Sequence, residues 1–241
     1  MSTKTDRLAT IKCFLMDMDG TIFLGNQLLP GAEDWLALLR KRGIAHYFLT
    51  NNSSRSQLDY VKKLKNLGLS VPEEKIFTSG EATVLYLQKE FPEATLYVVG
   101  TPSLQQEFAR HGFSQDPISA DVAVLGFDTT LTYEKLWRLC DLVTAGKPYA
   151  PIVNALADKT GFAVEEHCMI GDRLYTDIAL GQWGMTTALV LSGETRLEDV
   201  ASSPFQPDFV VRDVAEMADL YRQAISAQSS YLEEGSESDA L

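Results

Sequence analysis

The sequence predicts an α/β protein built as a doubly wound parallel sheet, with a smaller α/β module inserted into it. Three observations predict this fold. Short apolar runs alternate with helical stretches along most of the 241 residues, the order expected of strand, helix and strand units. Several runs are apolar throughout, as strands covered on both faces are. Runs that end in polar residues are followed at once by helices, so the rim at the carboxyl ends of the strands gathers the polar groups.

Composition narrows the function before any motif is read. With 45% hydrophobic residues, the chain can bury the core of one good-sized domain plus an insertion, or of two small domains. A formal net charge of -12 argues against a nucleic-acid or anionic-membrane surface, because phosphates would be repelled over most of the molecule. Any anionic substrate must then be met by a local positive site. Cys13, Cys140 and Cys168 lie far apart in apolar surroundings without paired spacing, which fits buried thiols in a reducing cytoplasm. Residues 1–10 are polar, so no secretory signal is expected, and no apolar run approaches the length of a membrane span.

The first strand runs from Ile11 into Asp17-Met18-Asp19-Gly20-Thr21. Extended backbone sends residues i and i+2 to one side, so Asp17 and Asp19 are expected to face one spot while Met18 faces away. Two carboxylates so placed repel each other unless a cation lies between them or one takes a proton, and a hard divalent ion is the natural partner. Gly20 lets the backbone turn, and Thr21 adds a hydroxyl and an amide. A calcium loop also begins Asp-x-Asp, but Ile22 and Leu28 stand where it requires Gly and Glu.

Residues 22–30 read as an irregular flap over the carboxylates. A helix over 31–43 follows, with Trp35, Leu36, Leu38 and Leu39 on one side, Arg40, Lys41 and Arg42 in its last turn, and Gly43 as its stop. Residues 45–49 form a second buried strand that ends in Thr50-Asn51-Asn52-Ser53-Ser54. Hydroxyl and amide side chains ahead of a helix suit an anion, although Ser53 or Ser54 could serve as no more than the cap of that helix. The helix spans 55–67, and Ile76-Phe77-Thr78 is a third strand broken by Ser79-Gly80.

From Glu81 a second series begins: helix 81–91, strand 95–99, helix 103–111, strand 122–125 and helix 133–145, the pattern of an inserted α/β module. Lys147, in Gly146-Lys147-Pro148, precedes a helix over 151–160 that Pro151 opens and Gly161 ends. Strand 166–170 leads into Gly171-Asp172-Arg173-Leu174-Tyr175-Thr176-Asp177, where acids again stand at a strand end before a helix, here 177–182. Asp177 alone could be that helix's cap. Strands 188–191 and 209–211 alternate with helices 197–201 and 214–228. Residues 229–241, rich in Ser and Glu, are expected to form a disordered tail.

Parallel strands deliver their carboxyl ends to one rim, so Asp17/Asp19, Thr50/Asn51 and Asp172/Asp177 should converge. Asp17 and Asp172 with one further oxygen suit Mg²⁺, which takes a few carboxylates, water and a substrate phosphate. No Walker-type loop or Gly-x-Gly-x-x-Gly fingerprint is present. A phosphate at such an ion would meet the Thr50 hydroxyl, the Asn51 amide and the Lys147 ammonium. An aspartate beside it can attack phosphorus, and a second carboxyl can protonate the leaving oxygen and later activate water. Spacing alone does not divide these roles among the aspartates.

Taken together and in order, Asp17-Met18-Asp19-Gly20-Thr21, Thr50-Asn51, Lys147 and Gly171-Asp172-Arg173 with Asp177 resemble the motifs of the haloacid dehalogenase superfamily. Thr50-Asn51-Asn52-Ser53 and the Gly-Asp-Arg-Leu-x-Thr-Asp pattern are similar to its NagD-like, nitrophenylphosphatase-like branch, subfamily IIA. The resemblance implies Asp17 as nucleophile and Asp19 as general acid and base. It implies metal held by Asp17, the Asp19 backbone carbonyl and Asp172, with Asp177 in support. Thr50, Asn51 and Lys147 would grip the phosphoryl group, and a C2-type cap inserted after the third strand would cover the site and select the substrate.

The chain departs from that pattern in the cap. Residues 81–146 are fewer than the resemblance implies, as if the cap's last strands and a helix were absent between helix 133–145 and the lysine loop. Members of the branch also carry Gly-Lys-Pro-Tyr inside the cap, which gives Gly146-Lys147-Pro148-Tyr149 a second reading. The helix after Lys147 and the strand leading to Asp172 favour the catalytic one. The expected organisation is a phosphatase core of 1–80 and 147–228, a shortened cap of 81–146 and the tail of 229–241. The expected activity is cytoplasmic, Mg²⁺-dependent hydrolysis of a small phosphorylated metabolite, with no nucleic acid or membrane partner and with oligomer formation through the cap's unpaired strand edge. Rival expectations are a non-catalytic protein that binds or senses a phosphometabolite, and a phosphotransferase to an alcohol. The substrate itself depends on cap side chains and is not legible.

Overall fold

The computed structural model of the chain describes residues 4–147 and 159–238. Its strands are β1 (Cys13–Asp17), β2 (Phe23–Leu24), β3 (Gln27–Leu28), β4 (Ala45–Thr50), β5 (Ile76–Thr78), β6 (Leu96–Val99), β7 (Val122–Leu125), β8 (His167–Gly171), β9 (Thr186–Val190) and β10 (Phe209–Val211). Its helices are α1 (Lys4–Ala9), α2 (Ala32–Arg42), α3 (Gln57–Asn66), α4 (Ser79–Glu90), α5 (Pro102–Arg110), α6 (Tyr133–Thr144), α7 (Leu197–Val200) and α8 (Val214–Ser238). The helix expected over 151–160 lies outside the described residues except for Lys159 and Thr160, which are helical.

The chain divides into two compact units, one of Met1–Leu49 with Thr160–Leu241 and one of Thr50–Lys159. In the first, strands run in the order β10-β9-β8-β1-β4 with every adjacent pair parallel. All residues of β1, β8 and β9 are buried, including His167 at the start of β8 and Thr186 and Thr187 at the start of β9. From β1 the chain passes through α2 to β4 on one side of the sheet, and from β8 it passes to β9 and β10 on the other. The order therefore reverses between β1 and β8, and the crevice at the carboxyl ends of strands at such a switch point is where open α/β sheets bind ligands.

An aromatic trio fixes helices to the central strand. The rings of Phe14 in β1, Trp35 in α2 and Tyr221 in α8 meet edge to face, with centroids 5.0, 5.1 and 5.8 Å apart. Such pairs add ~0.5–1.5 kcal/mol each beyond the area they bury. The Trp35 indole N–H also donates to Met16 Sδ at 3.2 Å. Gly43 ends α2 in the left-handed region at φ 66, as the sequence predicts.

In the second unit, β6 and β7 form a parallel pair covered on one side by α4 and α5, through Val84, Leu87, Leu104 and Phe108. On the other side Leu139 and Leu142 of α6 pack with Val99, Ala123 and Tyr97. A buried polar network ties this unit together. Gln57 Nε2 donates to the Ile76 carbonyl and to Glu81 Oε2, both at 2.7 Å, while Gln57 N and the Thr78 hydroxyl each donate to Glu107 at 3.2 Å. Lys159 pairs with Glu81. Burial, only partly offset by these donors, pushes the Glu107 carboxyl up to about 7.

Four local readings need correction. Residues 22–30 form a small hairpin, with Phe23 opposite Leu28, where an irregular flap was expected; its strands are too short to show a period. Cys140, expected to be a buried thiol, is exposed on α6, while the helix expected over 177–182 forms as a 3-10 helix over 178–183. The cap of α3 is Ser56, whose side chain accepts from Asp59 N, and not Ser53 or Ser54. α8 continues to Ser238, past the expected end at 228, since Leu232, Glu233 and Glu234 are as good helix formers as they are tail residues.

Candidate active site

Three carboxylates meet at the switch point. Met16 pairs with Ile170 in the register of β1 and β8, so Asp17 at the end of β1 and Asp172 just past β8 arrive side by side. Asp177 joins them, and one oxygen from each of the three lies within 4.8 Å of the others, with all three side chains buried. The sequence counted Asp177 as a support or a simple cap. Its carboxylate makes no cap hydrogen bond to the 3-10 helix it precedes. It turns back instead and accepts from Arg173 N at 2.9 Å and the Thr176 hydroxyl at 3.1 Å.

The loop after β9 completes the setting, and the sequence reading passed over it. Glu194 N donates to Asp172 Oδ2 at 2.6 Å, and the Ser192 hydroxyl donates to the Gly20 carbonyl at 2.7 Å. A Cβ on Gly193 would overlap the Asp172 carboxylate, and one on Gly20, where φ is +90, would crowd it as well. A Cβ on Gly171 would likewise strike Asp177. Glu194 is itself held by Arg173 at 2.7 Å and by the Tyr175 hydroxyl at 2.8 Å. The signal was present: Leu191-Ser192-Gly193-Glu194-Thr195 is a fourth strand end that breaks into polar residues on the same rim.

Electrostatically the trio is unbalanced. Burial, then repulsion from Asp177 and Asp172, raises the Asp17 carboxyl well above the usual carboxylate range. Burial raises Asp172 despite the Glu194 amide, and burial with repulsion from Asp172 pushes Asp177 up to about 6. Among the described residues, Asp17 Oδ2 and Asp172 Oδ1 are buried without a hydrogen-bond partner. Buried anionic oxygens that face one another with unused lone pairs are what a small, hard divalent ion requires, so the donor set fits Mg²⁺.

The other predicted site residues stand as follows. β1 ends at Asp17, the backbone turns with Gly20 N donating to the Phe23 carbonyl, and Asp19 is exposed, outside the buried trio. The i, i+2 argument holds only for extended backbone, which stops one residue too soon. Thr50 is the last residue of β4, one past Leu49, the register partner of Asp17. Its hydroxyl accepts from Asn52 N at 3.1 Å and lies 3.3 Å from the Tyr60 hydroxyl. Asn51 is exposed, and its carbonyl accepts from the Ser79 hydroxyl at 3.4 Å. Lys147 lies in the second unit, with Nζ 3.9 Å from Asp121 and its backbone N–H donating to the Leu142 carbonyl.

Known proteins resemble this chain over most of its length. Residues 14–114 match the family model of haloacid dehalogenase-like hydrolases, and residues 144–217 match a second, HAD-hydrolase-like model. The chain is 31% identical to chloroplastic phosphoglycolate phosphatase 1A of Arabidopsis thaliana, over 86% of this chain and 76% of that one. It is 28% identical to the ribonucleotide monophosphatase NagD of Escherichia coli K12, over 86% and 98%. Among solved structures, a 4-nitrophenylphosphatase from Thermotoga maritima superposes with a TM-score of 0.84 at 35% identity, over 88% of this chain and 98% of that one. The chain therefore belongs to the haloacid dehalogenase-like hydrolases. Within them it is a NagD-like phosphatase, a phosphoric monoester hydrolase. Among the described residues no helix is long and apolar enough to cross a membrane.

Proposed function

We propose that this phosphatase hydrolyses a small-molecule phosphomonoester through an aspartyl-phosphate formed on Asp17, with Mg²⁺ as its cofactor and the cytoplasm as its setting. The buried, mutually repelling trio of Asp17, Asp172 and Asp177 carries the reading. Asp17 and Asp172 would hold the ion with the Asp19 carbonyl, and Asp177 would fix the loop that presents Asp172. When bound, the ion offsets the charge of the phosphoryl oxygens and of the carboxylates around them. The Asp17 carboxylate attacks phosphorus and the ester oxygen leaves with a proton from Asp19, which its exposure allows it to exchange with solvent. Asp19 then takes a proton from water as that water attacks the phosphoryl group on Asp17, which returns both aspartates to their starting states.

Thr50, Asn51 and Lys147 are assigned to the phosphoryl group on the strength of the motif order. Relatives named for phosphoglycolate, ribonucleotides and dihydroxyacetone phosphate support a small phosphorylated metabolite as substrate. The alignment with the Arabidopsis enzyme runs over 276 positions, more than the 241 residues of this chain, which supports a segment missing here relative to that relative. The Lys147 contact with Asp121 favours a second reading of the lysine alone, as a residue of its own unit.

Release of phosphate from p-nitrophenyl phosphate, with Mg²⁺ and with chelator, tests both points. Turnover should require the metal and vanish in Asp17→Asn, and Lys147→Ala should cost ~10²-fold if the ammonium meets transferring charge. Turnover that survives Asp17→Asn would reject the nucleophile. Unchanged turnover in Lys147→Ala would assign the lysine to Asp121. Binding of metal and phosphate without turnover would favour a phosphometabolite-binding protein, and phosphate gained by an added alcohol would favour a transferase.

A further inference from the structure

Residues 51–55 join β4 to α3 outside any strand or helix, so the path of the loop that carries Asn51 rests on side-chain bonds. Part of that path is local. Ser54 donates to Asn52 Oδ1 from its amide at 3.0 Å and from its hydroxyl at 2.6 Å, and Asn52 N donates to the Thr50 hydroxyl oxygen at 3.1 Å. These bonds make one chain from Ser54 back to Thr50, so whatever fixes Ser54 also sets where the Thr50 hydroxyl can point.

What fixes Ser54 comes from the paired strands of the same unit. The Thr101 hydroxyl, two residues past the end of β6, donates to the Ser54 carbonyl at 2.8 Å. Two residues past the end of β7, Phe127 N donates to the Ser53 hydroxyl oxygen at 2.7 Å. Val99 and Leu125 are register partners, so the two donors leave the parallel pair at one level. A Cβ on Gly126 would come within 3.2 Å of Ser53 Oγ, and its absence leaves the loop room to approach.

Thr101 is buried, and its hydroxyl is used twice. As the cap of α5 it accepts from Leu104 N at 3.3 Å, and it gives its own proton to Ser54. Capping needs only the acceptor, and glycine, with no side chain, caps nearly as well. The donated proton therefore serves the loop and not the helix. We propose that Thr101 is a positioning residue for ester hydrolysis, acting through Ser54 and Asn52 on the Thr50 hydroxyl and the Asn51 amide. The inference rests on the assignment of those two groups to the phosphoryl group under the proposed function.

Turnover of p-nitrophenyl phosphate with Mg²⁺, and its inhibition by inorganic phosphate, test this in Thr101→Gly, which keeps most of the cap, and in Thr101→Ser, which keeps the hydroxyl. In Thr101→Gly the inhibition constant of phosphate should rise ~10-fold, as when a hydrogen bond to an anion is weakened. Its kcat/KM should fall by ~10²-fold, because the gripping groups are misplaced. Thr101→Ser should restore both values. If Thr101→Gly does not fold, Thr101→Val, which fills the same space without the hydroxyl, should show the same losses. A phosphate inhibition constant that the loss of the hydroxyl leaves unchanged, or a loss that Thr101→Ser shares, overturns the proposal. If instead Asn51→Ala leaves that constant unchanged, the assignment of the loop to the phosphoryl group fails and takes the role of Thr101 with it.

Discussion

Single residues at the rim are held by what their neighbours lack. Asp172 occupies space that a side chain on Gly193 or Gly20 would fill, and its carboxylate is aimed by the Glu194 amide. Gly193→Ala should therefore fold, because the position is in a loop, but push the carboxylate aside. Displacements of about 1 Å at a reacting centre can cost ~10²-fold, so kcat/KM for p-nitrophenyl phosphate should fall by about that much while the melting temperature holds. Activity equal to that of the natural protein would show that this glycine does not set the acid's position. Asp17, Asp172 and Asp177 were each legible as acids at strand ends. That Asp177 turns into the trio was not, because the turn depends on Arg173 N and Thr176 as donors and no periodicity encodes it.

At the scale of elements, what the sequence hid was short. Among the described side chains of α1 only Leu8 is fully buried, and the helix owes its place to packing on α8, which local sequence cannot show. β1, β8 and the apolar end of β9 were readable because full burial writes itself as an apolar run, whereas Thr186 and Thr187 hid the start of β9. The network that joins α3, α4 and α5 is of another kind, with Glu107 fully buried at the junction. Its carboxyl ionises at about 7 when folded and at 4.5 when free, so the folded state holds the proton more tightly and stability falls as pH rises from 4.5 to 7. Glu107→Gln removes that loss. It should stabilise the protein by ~3 kcal/mol above pH 7 and by nothing measurable near pH 4.5, as read by urea denaturation at both pH values. A variant less stable at pH 8 would mean that the charged carboxylate is the form its donors favour.

Across the whole molecule, the acidic trio ties the fold's stability to pH and, under the proposed function, to the ion. Asp177 ionises at about 6 in the folded state against 3.8 when free, and Asp17 and Asp172 are raised in the same direction, so without metal stability should drop as pH climbs through 4 to 6. In a Glu107→Gln background, which removes one further raised acid and leaves Glu81, chelated protein should melt higher at pH 5 than at pH 7. Added Mg²⁺ should lift the pH 7 value and flatten the difference. Melting temperatures indifferent to Mg²⁺ at pH 7 would show that the trio does not hold that ion. The sheet order has one more consequence, for synthesis. Cys13 pairs with His167, so the strand that carries Asp17 gains its second neighbour only after residue 167 has left the ribosome. A nascent chain short of that point has Asp17 but neither Asp172 nor Asp177, so under the proposed function it cannot yet turn over phosphate esters.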